Sequence, residues 1–229
     1  MKGLLGLSFA ATTALSVAAF AAPEHVRVRG TVTSVTSDTL TVHTTTGEDV
    51  PVTLGSETKY LEVKKSSLEN IEKGSYIGTA TKEVGSMLVA LEVVIFPPSM
   101  KGAGEGHYGW DKIPDTTLSG GATTNSTMTN GNVAGVAMSS QAPAVNSAMT
   151  NGSVSATSSE KGAKQLTVTY KGGEQTILVP PTAPIVTFAP GTMSEVTKGA
   201  VVFVNATKDD GKVTANAVAV GSEGVNPPM

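Results

Sequence analysis

The chain has 229 residues, a formal net charge of −3, 15% charged residues, 4% aromatic residues and no cysteine. The lack of cysteine excludes a disulfide-stapled scaffold and a thiolate metal site. The sparse charge excludes a coiled coil, and the mildly acidic balance is atypical of a nucleic-acid-binding surface. The composition is therefore compatible with a β-rich protein, and by itself it indicates no activity.

Residues 1–21 have the features of a secretory signal peptide. Lys2 supplies a positive start, residues 3–18 are uncharged and mostly apolar, and Ala19-Phe20-Ala21 fits the small-x-small cleavage rule. We therefore expect cleavage near Ala21 and export to the periplasm or the medium. The alternative is an uncleaved anchor, but the apolar run is shorter than a span of about 20 residues. No later stretch of the sequence is long and apolar enough to span a bilayer.

Residues 22–98 are predicted to form the first of two small β units. Apolar and polar residues alternate from Val26 to Val32, and the alternation resumes at Leu40. A period of two predicts half-buried antiparallel strands. A short helical turn that ends at Lys73-Gly74 separates the third strand from the fourth. Five strands with one such turn have the connectivity of a small β-barrel.

Residues 99–148 join a Gly-rich aromatic loop to an uncharged linker. No charged residue lies between Thr116 and Ser159, and this composition predicts a flexible, disordered segment. The alternative is an extra Met/Thr strand that pairs with a barrel edge. Residues 128–133 (MTNGNV) recur at 149–154 as MTNGSV, and we expect the second copy to begin the second unit.

Residues 149–221 repeat the first unit and are followed by a tail, 222–229. The matching segments are 40–42 with 166–168, 73–74 with 198–199, and 80–82 with 206–208. Ordered matches, with insertions only in predicted loops, indicate an internal duplication. We therefore expect an all-β fold of two tandem five-stranded barrels, each built from its own repeat. Whether the two barrels pack together stays open, as does the oligomeric state.

Both units resemble the bacterial DUF5666 group of exported β domains. The resemblance covers residues 27–97 and 151–220, and it rests on Gly30-x-Val32, the segment TLTV at 39–42, Gly74 and Ala90-x-x-Val93. The segment KGAGEGHYGWD at 101–111 is similar to one that follows the first β domain in related exported proteins, some of which carry labels connected with metal transport. The resemblance implies OB-like barrels and an exported location, and it implies no reaction.

The Gly-rich segment 104–111 is the best candidate for a functional site. The residues proposed to contact a partner or ligand are Glu105, His107, Tyr108, Trp110 and Asp111. Aromatic residues on a polar loop are typical anchors, either onto the protein's own barrel or onto a partner. His107, Glu105 and Asp111 also offer nitrogen and oxygen ligands for a divalent cation. Capping of the first barrel, contact with a partner and a metal site all stay open.

The sequence contains no pattern typical of an enzyme. It lacks Gly-x-Ser-x-Gly, His-Glu-x-x-His and a cysteine nucleophile, and its glycines at 102–106 lack the Lys-Ser/Thr of a phosphate loop. We expect a non-enzymatic binding protein of the bacterial envelope without a cofactor, whose partner is an unknown envelope protein or a small ligand and not a nucleic acid. The alternatives are a periplasmic divalent-metal-binding or metal-transport accessory protein, and a hydrolase with an unrecognised site.

Overall fold

A computed structural model describes residues 22–117, 123–138 and 162–227 of the chain. The first strands are β1 (Glu24–Val35), β2 (Thr39–Thr44), β3 (Asp49–Thr53), β4 (Lys59–Lys65), β5 (Tyr76–Val84) and β6 (Met87–Ile95). A middle group comprises β7 (Gly106–Gly109), β8 (Ile113–Pro114), β9 (Thr123–Thr124) and β10 (Thr127–Met138). The last group comprises β11 (Lys164–Tyr170), β12 (Gly173–Val179), β13 (Ile185–Pro190), β14 (Val201–Asp209) and β15 (Lys212–Gly221).

Three short 3-10 helices complete the described secondary structure, and the predicted all-β class is confirmed. They are Leu68–Asn70, Pro98–Met100 and Met193–Glu195. The first and third precede the Lys-Gly turns that were predicted in the two repeats. Each follows an additional strand, β4 or β13, so the turn comes after the fourth strand of its repeat and not after the third as predicted. Within the described ranges, no helix has the length and apolar character that a membrane span requires.

Thirteen of the strands join one large mixed sheet that closes on itself twice. Subsheet 1 runs from β1 through β2, β3, β15 and β14 and returns to β1. Subsheet 2 runs from β10 through β11, β12, β6 and β5 and returns to β10. Strands β4 and β13 lie between the two subsheets and pair with each other. Strand β4 also pairs with β15 of subsheet 1, and β13 also pairs with β6 of subsheet 2.

Each subsheet takes strands from both repeats, which differs from the predicted barrel per repeat. The hairpin β5–β6 of the first repeat completes subsheet 2, and the hairpin β14–β15 of the second completes subsheet 1. Strand β1 pairs with β14 from Glu24, opposite Lys208, to Thr31, opposite Val201. Because the two hairpins bury matching residues, such as Ala90 and Ala215 or Val93 and Val218, β14 offers β1 the same kind of partner edge as β5. The boundaries 22–98 and 149–221 therefore do not separate the two closed subsheets.

The exchange is reciprocal, and the same backbone hydrogen bonds occur in both subsheets. The N–H of Val32 donates to the carbonyl oxygen of Ala200, and the N–H of Gly199 donates back to Val32. In subsheet 2, Val133 makes the equivalent pair of bonds with Ser75 and Gly74. The first strand of each repeat thus meets the Lys-Gly turn of the other repeat.

Strand β10 takes the place that was predicted for the segment beginning at residue 149. A Cβ added to Gly131 would overlap the carbonyl of Thr169 on β11, just as one added to Gly30 in β1 would overlap the carbonyl of His43 on β2. The first MTNG copy, 128–133, therefore begins the second unit, and the copy at 149–154 lies outside the described residues. The prediction of a flexible segment over 99–148 is corrected for its described residues, 99–117 and 123–138, because β7 to β10 lie there and β10 is a Met/Thr strand. The rest of the predicted segment lies outside the described residues.

Apolar clusters fill each subsheet and the junction between them. The fully buried residues of subsheet 1 include Val32, Leu40, Val42, Val52, Val204 and Val218. Those of subsheet 2 include Ile77, Val93, Leu166, Val168 and Ile177. A third cluster lies at the junction, where buried Val63, Val94 and Val186 contact partly buried phenylalanines. Because β4, β6 and β13 supply those valines, the strands that cross between the halves also form the junction.

A buried ion pair fastens the segment after β8 to the hairpin β5–β6. Lys82 Nζ donates to Asp115 Oδ2 over 2.6 Å, and the two side chains are 9% and 5% exposed. Burial alone would raise the pKa of Asp115, but hydrogen bonds from Lys82 and Thr117 outweigh burial and hold that pKa below its usual 3.8.

We expect Asp115→Asn to lower the free energy of unfolding by about 3 kcal/mol at pH 7, because it leaves the buried Lys82 charge without its counter-ion. The folded-state pKa is depressed, so this contribution is complete above the unfolded-state pKa near 4 and is lost as the pH falls through the folded-state value. Urea unfolding at pH 7 and pH 2.5 measures the difference, with the exposed Asp209→Asn as control. An equal difference between wild type and variant at both pH values would contradict this account.

Candidate functional site

The connection between β6 and β10 covers the outer face of subsheet 2. Strand β7 runs antiparallel to β10, with Gly106 opposite Asn130 and Gly109 opposite Thr127. Strands β8 and β9 form a separate small sheet, and Ile113 of β8 is buried against Met128 of β10. The predicted aromatic loop is therefore a strand that is paired to the second unit.

Trp110 and Asp111 reach from this connection to strand β1 of subsheet 1. The Arg27 guanidinium lies 4.0 Å from the centroid of the Trp110 indole, a cation–π distance. The Asp111 carboxylate accepts from Arg27 at 3.2 Å and from Arg29 at 3.1 Å. We call these four residues the arginine clamp. It links the subsheets, which favours the interpretation that Trp110 is an anchor within the protein itself.

Glu105 and His107 are also used inside the chain. Glu105 Oε1 accepts the backbone N–H of Lys171 over 3.0 Å. His107 Nδ1 lies 2.8 Å from Thr129 Oγ1, and its ring stacks on Tyr170 with centroids 6.2 Å apart. Both side chains therefore attach the β7 segment to strands of the second repeat.

The structure does not gather the three predicted metal ligands. Glu105 contacts the β11–β12 turn, His107 contacts Thr129, and Asp111 lies between two arginines. The described ranges contain no group of three or more His, Asp or Glu side chains that could hold a metal ion. Nothing in this geometry therefore favours the metal-binding alternative.

A partly open cavity of about 240 Å³ lies between the subsheets beside the clamp. Phe96 after β6, Phe188 of β13 and Phe203 of β14 line it, together with Tyr108 and Trp110 of the connection. The rings of Phe96 and Phe188 are tilted by 48° with centroids 5.7 Å apart. Because these aromatic residues come from both repeats and from the connection, the cavity exists only where these three parts of the chain meet.

The polar groups in the cavity wall are neutral. Asn130 is 6% exposed, and its Nδ2 donates to the carbonyl oxygen of Gly104 at 2.9 Å and to the Tyr108 hydroxyl at 3.2 Å. Asn205 is exposed, and its Oδ1 accepts from Asn216 at 3.2 Å. Burial raises the pKa of the Tyr108 hydroxyl, which keeps it protonated at neutral pH. Among the described residues, no acidic or basic side chain with a charge at pH 7 lines this cavity.

The sequence pattern pointed to Tyr108 and Trp110 but not to the phenylalanines opposite them. A compositional signal was present, since the chain has five phenylalanines, two of which lie in the predicted signal peptide. The other three all line the cavity. The two arginines of the clamp carried no comparable signal, because Arg27 lies 84 residues from Asp111 and alternates with valines like any outward-facing strand residue.

Comparisons with known proteins found no match to this chain. No protein family matches the chain. No curated protein and no solved structure matches it either. The function is therefore inferred from the cavity and the residues around it.

Proposed function

We propose that the chain is an exported, non-enzymatic binding protein of the bacterial envelope that holds a small apolar ligand between its two subsheets. One observation carries the proposal: the only tryptophan and all three phenylalanines beyond residue 21 line a single cavity. Small-molecule sites are mostly apolar and aromatic, with a few polar groups that orient the ligand. The exported location rests on the signal-peptide features of residues 1–21.

The proposed site belongs to the junction and not to either subsheet alone. We take each closed subsheet to be an OB-like barrel, in line with the DUF5666 resemblance. The aromatic residues from β13, β14 and the end of β6 meet at the junction, where β13 and β4 lie between the two exchanged hairpins. A ligand there would contact both repeats and the connection, so binding should stabilise the exchanged arrangement as well as occupy the cavity.

Trp110 makes the proposal directly testable, because its fluorescence reports on the cavity wall. We expect saturable quenching of Trp110 by at least one of two naphthalene-sized probes, 2-naphthol and 2-naphthoate, with one site per chain by calorimetry. Ala217 is half-buried and lines the cavity, so Ala217→Phe fills it and should weaken binding by about tenfold or more.

The matched control is Val201→Phe, which adds the same ring to an exposed position on β14 outside the cavity. It should leave the affinity within about twofold of the wild-type value, since Val201 is not one of the residues that line the cavity. Thermal unfolding of both variants checks that they are folded. If neither probe binds, or if both variants lose binding equally, the proposed function is wrong.

A further inference from the structure

The chemistry of the cavity also defines a class of ligand, an inference that rests on the proposed function. We infer that the ligand is a neutral molecule about the size of two fused rings, with one hydrogen-bonding group that lies at Asn205. Three separate observations support this inference: the lack of charged residues in the cavity wall, the volume of the cavity and the position of the polar groups in the wall.

The residues of the cavity wall and the arginine clamp beside the cavity indicate that the ligand is neutral. The wall contains only apolar side chains, two amides, the indole of Trp110 and the protonated hydroxyl of Tyr108. The nearby guanidinium groups of Arg27 and Arg29 already share the Asp111 carboxylate. An ionic ligand would lose its hydration and find no free counter-charge in the wall, which is costly for either sign.

Arg29 does not change this conclusion. Its Nε and Nη2 atoms have no hydrogen-bond partner among the described residues, but both are buried. The guanidinium lies 5.2 Å from the Phe203 ring, and Arg29 itself is not part of the wall. An anion in the cavity would therefore have to displace Phe203 or Asp111 before it could reach those nitrogens.

The size follows from the volume of about 240 Å³. An apolar cavity of about 150 Å³ in another protein accommodates one benzene molecule. The larger volume fits two fused six-membered rings, and a third ring would have to extend out of the cavity. The tilted pair of Phe96 and Phe188 offers both ring faces and ring edges, the contacts that aromatic molecules prefer.

The polar group of the ligand is placed by Asn205. Its Oδ1 accepts from Asn216, and no hydrogen bond of its Nδ2 occurs in the described part of the chain. Asn130, the other amide of the wall, is buried, and its Nδ2 already donates hydrogen bonds to Gly104 and Tyr108. The indole Nε1 of Trp110 and the Oδ1 of Asn130 also have no hydrogen-bond partner among the described residues, but both atoms are buried. The donor that a ligand hydroxyl or carbonyl oxygen can reach therefore lies at the exposed end of the cavity, on Asn205.

Calorimetry with the full chain after signal-peptide removal tests the inference. The ligands are 2-naphthol, its anionic analogue 2-naphthoate, the cation 2-naphthylmethylammonium, the single-ring phenol and the three-ring 9-anthracenemethanol. We expect 2-naphthol to bind about tenfold or more tightly than either ion, because loss of hydration costs an ion more than a neutral hydroxyl and the wall offers no counter-charge. Phenol and 9-anthracenemethanol should also bind more weakly than 2-naphthol.

The variant Asn205→Leu separates the polar contact from the apolar one. It should weaken binding of 2-naphthol about tenfold and leave naphthalene, which has no hydroxyl, unchanged. Tighter or equal binding of an ion, or no effect of Asn205→Leu on 2-naphthol, would overturn this inference while leaving the proposed binding function in place. Failure of all the probes to bind would remove the proposed function itself.

Discussion

Cutting the chain between β10 and β11 is expected to leave the two fragments bound to each other. Each subsheet takes three strands from the N-terminal fragment and two from the C-terminal one, and β10 and β1 are hydrogen-bonded to strands of the other fragment. A protease site inserted within residues 139–161 allows the cut to be made after folding. Size-exclusion chromatography with light scattering should then show one species with the mass of both fragments, which separates only in denaturant.

Two independent repeats would behave differently, since the same cut would release two folded pieces that elute apart. The uncut protein with the inserted site is the control for the insertion. A second readout uses the absence of native cysteine. Thr31 and Val201 are exposed and directly opposite each other on β1 and β14. Thr31→Cys with Val201→Cys should therefore form an intrachain disulfide, because opposed strand residues lie within disulfide range.

Gly131→Ala is expected to destabilise the protein by about 3 kcal/mol or more, the upper range for overpacking. The added Cβ would overlap the carbonyl of Thr169, and that contact is to backbone that cannot rotate away. Relief requires β10 and β11 to separate, which would break the pairing that runs from Asn132 to Met138. Urea unfolding measured at neutral pH gives the change in free energy.

Gly135→Ala is the matched control, because it places the same methyl group on the same strand. Its Cβ would lie 3.6 Å from Thr167 Oγ1, an ordinary van der Waals contact. We expect a change of less than about 1 kcal/mol, since the added methyl group makes only ordinary van der Waals contacts at this half-buried position. Similar losses from both substitutions would mean that β10 does not pack against β11 as described.

Much of the strand pattern was predictable, because a period-two alternation reports which face of a strand is buried. Val28, Val32, Leu40 and Val42 are buried as the alternation requires. The partner of each strand was not predictable from the same signal. Hairpins β5–β6 and β14–β15 bury equivalent residues, and nothing in their periodicity states whether a hairpin folds onto its own repeat or onto the other one.

The candidate site was also only partly predictable from the sequence. Tyr108 and Trp110 stood out by residue type, and Trp110 packs within the protein against Arg27, one of the roles expected of an anchor. Its surroundings depend on tertiary structure, because the phenylalanines that face it are brought together only when the two repeats and the connection meet at the junction. Strand β10 could not be chosen over the later MTNG copy by local sequence, since the two hexapeptides differ at one position.

The hairpin exchange has a consequence for the order in which the chain can fold. Subsheet 1 pairs its first strand, β1, with a hairpin that ends at Gly221, and subsheet 2 cannot close before β12 at residues 173–179. Pairings so distant in sequence close large loops and make folding slow. A growing chain therefore holds neither closed subsheet until most of it has been synthesised. Such a polypeptide would remain unfolded for longer, and passage through a secretion channel requires an unfolded chain.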